Sequence, residues 1–137
     1  MTTVEDILLK KGSDVIAALP ETSIRHAAQR MAEANVGCLI VEHHGVIIGI
    51  FSERDLLQRV VGAGRDLDKT VLMEVMTSPV MTCQPEDNIF DVTDKFWHHD
   101  FRHLLVVDRD CPIGVISMRD LTMELRKQTN RLAKAFQ

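Results

Sequence analysis

No stretch of this sequence is long and apolar enough to cross a membrane: the longest apolar run, Val46 to Phe51, falls far short of the roughly 18 residues a spanning helix needs. There is no excess of positive charge. Sixteen Lys and Arg stand against twenty Asp and Glu, a formal net charge of −4, which argues against a protein that coats nucleic acid by neutralising phosphates. The start, MTTVEDILLKKG, carries acids where a secretory signal would be basic and then apolar, so a cytoplasmic location is expected. Cysteine is scarce. Cys38, Cys83 and Cys111 form an odd set with no C-x-x-C pair, and reduced thiols are expected rather than a disulfide framework. What is left is ordinary globular composition, 45% hydrophobic and 26% charged over 137 residues, which excludes a disordered, fibrous or coiled-coil chain. The length suits one compact unit, or two half-sized units that share a core.

An internal repeat decides between these. Residues 15–60 align with residues 80–125 at a constant offset of 65 without a gap, and twelve of the 46 pairs are identical, against roughly three by chance. The identities include Val15 with Val80, Pro20 with Pro85, Ile24 with Ile89, Leu39 with Leu104, and the block Ile48, Gly49, Ser52, Arg54, Asp55, Leu56 with Ile113, Gly114, Ser117, Arg119, Asp120, Leu121.

Each copy reads as β-α-β-β-α. A short strand at Val15–Ala17 precedes a Pro turn and a helix over about Ser23–Ala34, with Ile24, Ala27, Ala28 and Met31 on one face. Strands Cys38–Glu42 and Val46–Phe51 flank the turn His43-His44-Gly45, and Ser52 begins a helix through about Val61. The second copy repeats this as Val80–Cys83, Asn88–His98, His103–Val107, Pro112–Ile116 and Ser117 onward, with Pro112 suited to an edge strand. The pattern implies an α+β fold with the two repeats packed through their sheets in pseudo-two-fold symmetry. A helix over Val4–Lys11 leads into the first copy, and a long one, Ser117 to about Phe136, ends the chain. The expected division is 1–77 for the first repeat with its leading helix and linker, and 78–137 for the second.

The chemistry concentrates in Gly49-Ile50-Phe51-Ser52-Glu53-Arg54-Asp55 and its counterpart Gly114-Val115-Ile116-Ser117-Met118-Arg119-Asp120. Both have the form G-h-h-S-x-R-D at a strand-to-helix junction. A helix N-terminus attracts phosphate, Ser adds a donor, and an ionised Asp one turn on can accept the hydroxyl hydrogens of a ribose diol. Glycine lets a ligand approach the backbone. The same S-x-x-D spacing is also a capping box that merely satisfies backbone donors, and the pattern alone leaves both readings open.

The β-α-β-β-α order, Val75-Met76-Thr77 ahead of the second repeat, Phe101-Arg102-His103-Leu104-Leu105-Val106 entering a strand, and both G-h-h-S-x-R-D segments together resemble the CBS domain. From Val4 to about Leu125 the chain resembles a stand-alone tandem CBS pair, or Bateman module. The resemblance implies a non-catalytic regulatory module that binds AMP, ADP, ATP, NAD or S-adenosylmethionine between the repeats, AMP foremost, with NAD or ATP next. It implies that the motif Asp holds the ribose hydroxyls, that the Ser faces ribose or phosphate, and that adenine lies against apolar residues of the first strand. The preferred cleft would then combine Ile50, Ser52, Arg54 and Asp55 with Val80, Met81, Arg102 and His103. The second would combine Val115, Ser117, Arg119 and Asp120 with Val15, Ile16, Gly37 and Cys38. Arg102 and His103 supply phosphate donors where Gly37 and Cys38 supply none, which ranks the Asp55 cleft first. A homodimer of CBS pairs, an unidentified regulated protein reached in trans, and no nucleic acid or membrane partner complete the expectation.

Other readings are weaker. His43-His44 and His98-His99 are adjacent pairs without ligands at zinc-like spacing, so no metal site is expected; the first pair suits a hairpin turn and the second closes a helix. His103 suits either a ligand contact or a structural hydrogen bond. Ser52, Asp55 and His103 do not form a hydrolytic trio, because Asp55 competes for the Ser52 hydroxyl and no G-x-S-x-G elbow is present. Cys38 reads as packing more readily than as a redox thiol. Leu125, Leu132 and Phe136 give the last helix an apolar stripe for core docking, for a dimer, or for a partner. A constitutive dimerisation scaffold with vestigial clefts is the alternative function.

Overall fold

In a computed structural model that describes residues 2–12, 15–99 and 102–135, the 65-residue offset returns as two matching sets of elements. Phe101 and Phe136 lie outside the described residues. Copy one contains β1 (Ala17–Ala18), α2 (Ile24–Ala34), β2 (Cys38–His43), β3 (Val46–Ser52) and α3 (Glu53–Asp55), which runs into a π-helical turn over Leu56–Val61. Copy two contains β4 (Thr82–Cys83), α5 (Ile89–His98), β5 (His103–Asp108), β6 (Cys111–Ser117) and α6 (Met118–Ala135). Two further helices precede the copies, α1 (Val4–Lys11) and α4 (Leu72–Val75).

Each copy builds a three-stranded sheet with its own long hairpin. β2 runs parallel to β1 and antiparallel to β3, and β5 relates to β4 and β6 in the same way. Both hairpins carry a register irregularity at equivalent points, Val41/Glu42 and Val106/Val107. Both also turn through two residues with positive φ, His44 and Gly45 in one and Arg109 and Asp110 in the other, the conformation a tight two-residue hairpin needs. Pro112 sits on the edge strand β6 opposite Val107, a position that tolerates its missing N–H.

Local chemistry explains the helix starts. The Ser23 hydroxyl accepts from the His26 amide at 3.2 Å to open α2, and the Asn88 side chain accepts from Phe90 at 2.7 Å to open α5. Ile24, Ala27 and Met31, and in α5 Ile89, Val92 and Phe96, form the buried stripes these helices press against their sheets. Two separate apolar cores result. One gathers Ile24, Leu39, Phe51, Val60 and Leu72, the other Val4, Ile7, Leu8, Leu104, Ile116 and Leu121.

The first strand of each copy is shorter than the sequence suggests. The expected strands Val15–Ala17 and Val80–Cys83 contract to Ala17–Ala18 and Thr82–Cys83, although Ile16 and Met81 still accept backbone hydrogen bonds from Ile40 (2.9 Å) and Leu105 (3.1 Å). The helix expected from Ser52 through Val61 is one α-turn followed by a π-turn.

Packing and chain continuity divide the molecule differently. The division at residues 77/78 places α1 with the copy it leads into, yet Val4, Ile7 and Leu8 fill the core of copy two. Val15–Val80 form one unit, and the described residues up to Gly12 form the other with those from Met81 onward. The reason is visible in the hydrogen bonds. Val4 and Glu5 donate to the carbonyls of Asp87 and Pro85, both at 2.9 Å, just as Leu72 and Met73 donate to Thr22 and Pro20, both at 3.0 Å. Each copy is thus completed by a short helix: α4 follows copy one directly and packs on it, while α1 serves copy two from the far end of the chain.

Candidate functional site

Ser52 ends β3 in an extended conformation and caps α3, with the capping box completed in both directions. Its hydroxyl accepts from the Asp55 amide at 3.3 Å, while Asp55 Oδ2 accepts from the Ser52 amide at 3.0 Å and the Ser52 hydroxyl at 3.1 Å. The other carboxylate oxygen is held from the linker. Thr77 donates its hydroxyl to Asp55 Oδ1 at 3.0 Å, and Arg59 Nε lies 3.5 Å from the same atom. Thr77 is fixed in turn by paired backbone bonds with Ile50, at 3.0 and 2.8 Å, and Arg59 donates to the Met76 carbonyl at 3.0 Å. Asp55 and Ser52 are both buried within this unit.

The counterpart in the other unit repeats the box and changes the neighbour. Asp120 Oδ2 accepts from the Ser117 amide at 2.8 Å, and the Ser117 hydroxyl accepts from the Asp120 amide at 3.1 Å. In place of a threonine hydroxyl, the Lys11 ammonium lies 2.6 Å from Asp120 Oδ2 and 3.0 Å from the Val115 carbonyl oxygen. Burial raises the Asp120 pKa, but Lys11 and the Ser117 donors outweigh it, and the carboxyl is held below its ordinary value. One turn along α6, buried Glu124 meets Lys10 at 3.3 Å; Glu124 occupies the position that Arg59 holds in copy one.

The two motif glycines serve these flanking segments. A Cβ on Gly49 would collide with the Met76 side chain and stand 3.1 Å from the Thr77 carbonyl oxygen; one on Gly114 would stand 2.8 Å from Leu8. Their bare backbone therefore admits the chain's own flanking segments, where the sequence alone suggests the approach of a ligand.

The remaining candidates fall as follows. Ile50, Ser52, Arg54, Asp55 and Val80 lie in the unit of residues 15–80, and Met81, Arg102 and His103 in the other. Val15, Ile16, Gly37 and Cys38 lie in the first, and Val115, Ser117, Arg119 and Asp120 in the second. Within each unit, strand pairing sets Cys38 opposite Ser52 and His103 opposite Ser117. The Gly37 carbonyl accepts from Glu53 at 3.0 Å and that of Arg102 from Met118 at 3.1 Å, so the residue before each second strand pins the helix start of its own copy. Arg54 Nε donates to Gln58 at 3.3 Å, and the side chains of Arg102 and Arg119 are exposed.

Sequence reasoning missed three residues of these corners. Arg59 carried a signal, since it stands four residues after Asp55 at helical spacing. Thr77 belongs to the Val75-Met76-Thr77 segment, whose pattern gives it no role of its own. Lys11 carried none, because 109 residues separate it from Asp120.

Two α+β repeats, each with a Ser–Asp box at a strand-to-helix corner, define the class of paired regulatory modules. The family description "CBS domain" matches residues 4–62 and 72–127, and the chain belongs to that family as a tandem pair. The CBS domain-containing protein YhcV of Bacillus subtilis is 29% identical over 123 residues, covering 90% of this chain and 85% of YhcV. The crystal structure of a CBS-domain-containing protein from Agrobacterium tumefaciens is 32% identical with a TM-score of 0.81, covering 90% of this chain and 98% of that one. A CBS domain protein from Pyrobaculum aerophilum, complexed with AMP, is 26% identical with a TM-score of 0.75, covering 92% of this chain and 99% of that one. No described helix of this chain is long and apolar enough to cross a membrane.

Proposed function

We propose that this tandem pair is a non-catalytic cytoplasmic sensor that binds an adenosine-containing ligand, AMP foremost, with ADP, ATP, NAD and S-adenosylmethionine as the related candidates. The observation that carries the reading is the Asp55 corner: a carboxylate oriented through both oxygens before any ligand arrives, which lowers the entropy cost of receiving a ribose diol. The relative from Pyrobaculum aerophilum that is complexed with AMP supports the ligand class. The cleft expected between repeats would join Ile50, Ser52, Arg54 and Asp55 to Val80, Met81, Arg102 and His103. Ligand binding would bias one arrangement of repeats, or of protomers in a homodimer, and a partner protein in trans would read that bias.

The completed capping boxes favour a second reading, a dimerisation scaffold whose corners serve folding alone. A thermal-shift panel of the five ligands on wild type, Asp55→Ala and Asp120→Ala separates the two. A ligand at 100 times its Kd should stabilise by about 2.7 kcal/mol, a midpoint shift of several degrees. The sensor reading expects a shift that vanishes in Asp55→Ala and survives in Asp120→Ala. No shift with any ligand, from protein freed of bound nucleotide, leaves the scaffold.

A further inference from the structure

The two corners share one box and differ in what reaches it from the flanking segment. On the Asp55 side α4 stops at Val75, the chain becomes extended, and Thr77 presents a neutral hydroxyl that can rotate away. On the Asp120 side α1 continues to Lys11, and the donor is an ammonium that spans two acceptors, Asp120 Oδ2 at 2.6 Å and the Val115 carbonyl at 3.0 Å. Those are acceptors that a nucleoside, with its hydroxyls and amino group, would need. A charge-assisted contact of this kind is roughly twice as strong as a neutral hydrogen bond. A ligand that takes these acceptors must first displace the ammonium and leave Lys11 without both of its partners.

We infer that Lys11 is an internal occupant of the Asp120 corner and the residue that confines nucleotide loading to one site per chain. Lys10 supports it from the same helix: its contact with buried Glu124 anchors the last turn of α1 on α6, and Val4, Ile7 and Leu8 dock the helix in the core of that unit. The lowered pKa of Asp120 agrees, since it keeps the carboxylate ionised and paired throughout the neutral range. This inference rests on the adenosyl-ligand reading of the Ser–Asp corner.

The test is the stoichiometry of AMP binding by isothermal titration calorimetry on the full chain, comparing wild type with Lys11→Met, Lys11→Gln and Lys11→Met/Asp120→Ala. Wild type is expected to bind one AMP per chain, each single variant two, and the double variant one. Two per chain in wild type, no gain in either single variant, or a second site that survives in the double variant overturns the inference. The failures separate cleanly. Wild type binding none while Lys11→Met gains one sinks the Asp55 reading and leaves the Lys11 inference standing, whereas one site in both does the reverse. No binding by any variant ends both. Lys11 is partly exposed at a helix end, and unchanged circular dichroism confirms that each variant is folded.

Discussion

Asp55 and Asp120 occupy equivalent places in a duplicated unit, make the same bonds to the preceding serine, and yet sit in different electrostatic company. Asp55 is buried and faces a hydroxyl, with a guanidinium at 3.5 Å; Asp120 is less buried and faces an ammonium at 2.6 Å. The box itself is thus the repeated work of the fold, starting a helix at the end of a strand, and the neighbour supplied by the flanking segment sets what each box can do. The two copies share the first and differ in the second: Glu124 stands where the repeat alignment places Arg59, and the segments that reach the corners differ in length as well as charge.

The strands that deliver the serines give the largest expected effect. Phe51 and Ile116 precede Ser52 and Ser117, are fully buried, and anchor separate cores. Phe51→Ala should cost about 3–5 kcal/mol and Ile116→Ala about 2–5 kcal/mol by urea unfolding. The comparison sharpens if each loss is confined to its own unit by hydrogen exchange, with the amides of β2 and β3 losing protection in Phe51→Ala and those of β5 and β6 in Ile116→Ala. Uniform loss of protection in both variants would show that the units unfold together.

A smaller effect tests the neutral donor. Thr77→Val preserves shape and removes the hydroxyl, leaving Asp55 Oδ1 with Arg59 alone in a buried setting. The expected cost is about 1.5–3 kcal/mol, the range for a hydrogen bond to a charged group. It should change little with ionic strength. A cost near zero would mean that Arg59 closes on the vacated oxygen and that Thr77 is dispensable.

Much of this was legible in the sequence, and the residues tell why. The constant offset gave the β-α-β-β-α order, and polar caps such as Ser23 and Asn88 placed helix starts within a residue. Strand ends were harder: Val15 and Val80 are apolar enough to continue a strand, but β1 and β4 pair on one side over only two residues each. The π-turn after Asp55 has no pattern of its own, because an apolar run such as Leu56, Leu57, Val60 and Val61 fits an α-helix equally well. The serine and aspartate of each corner were visible as a motif. Their neighbours were not, since Thr77 and Lys11 arrive by tertiary packing, and reading α1 into copy one followed from where it lies in the chain.

The smallest expected effect concerns the charged donor and carries its own signature. Lys11→Met should cost about 0.5–1 kcal/mol, since Lys11 is over a third exposed and such pairs are screened by solvent. Raising salt from about 0.1 M to about 1 M shortens the Debye length from about 10 Å to about 3 Å and should shrink that cost, unlike the cost of Thr77→Val. Acid should act the same way. Asp120 has its folded pKa below the ordinary value of 3.8, so the stabilisation from its pairing is fully present above that value and is lost as pH falls through the folded value. Wild type and Lys11→Met should therefore differ at pH 7 and converge in strong acid, measured by urea unfolding wherever both remain folded. A difference that persists undiminished in acid and high salt would mean that Lys11 acts through its aliphatic stem and not through its charge, and the two corners would then differ in packing alone.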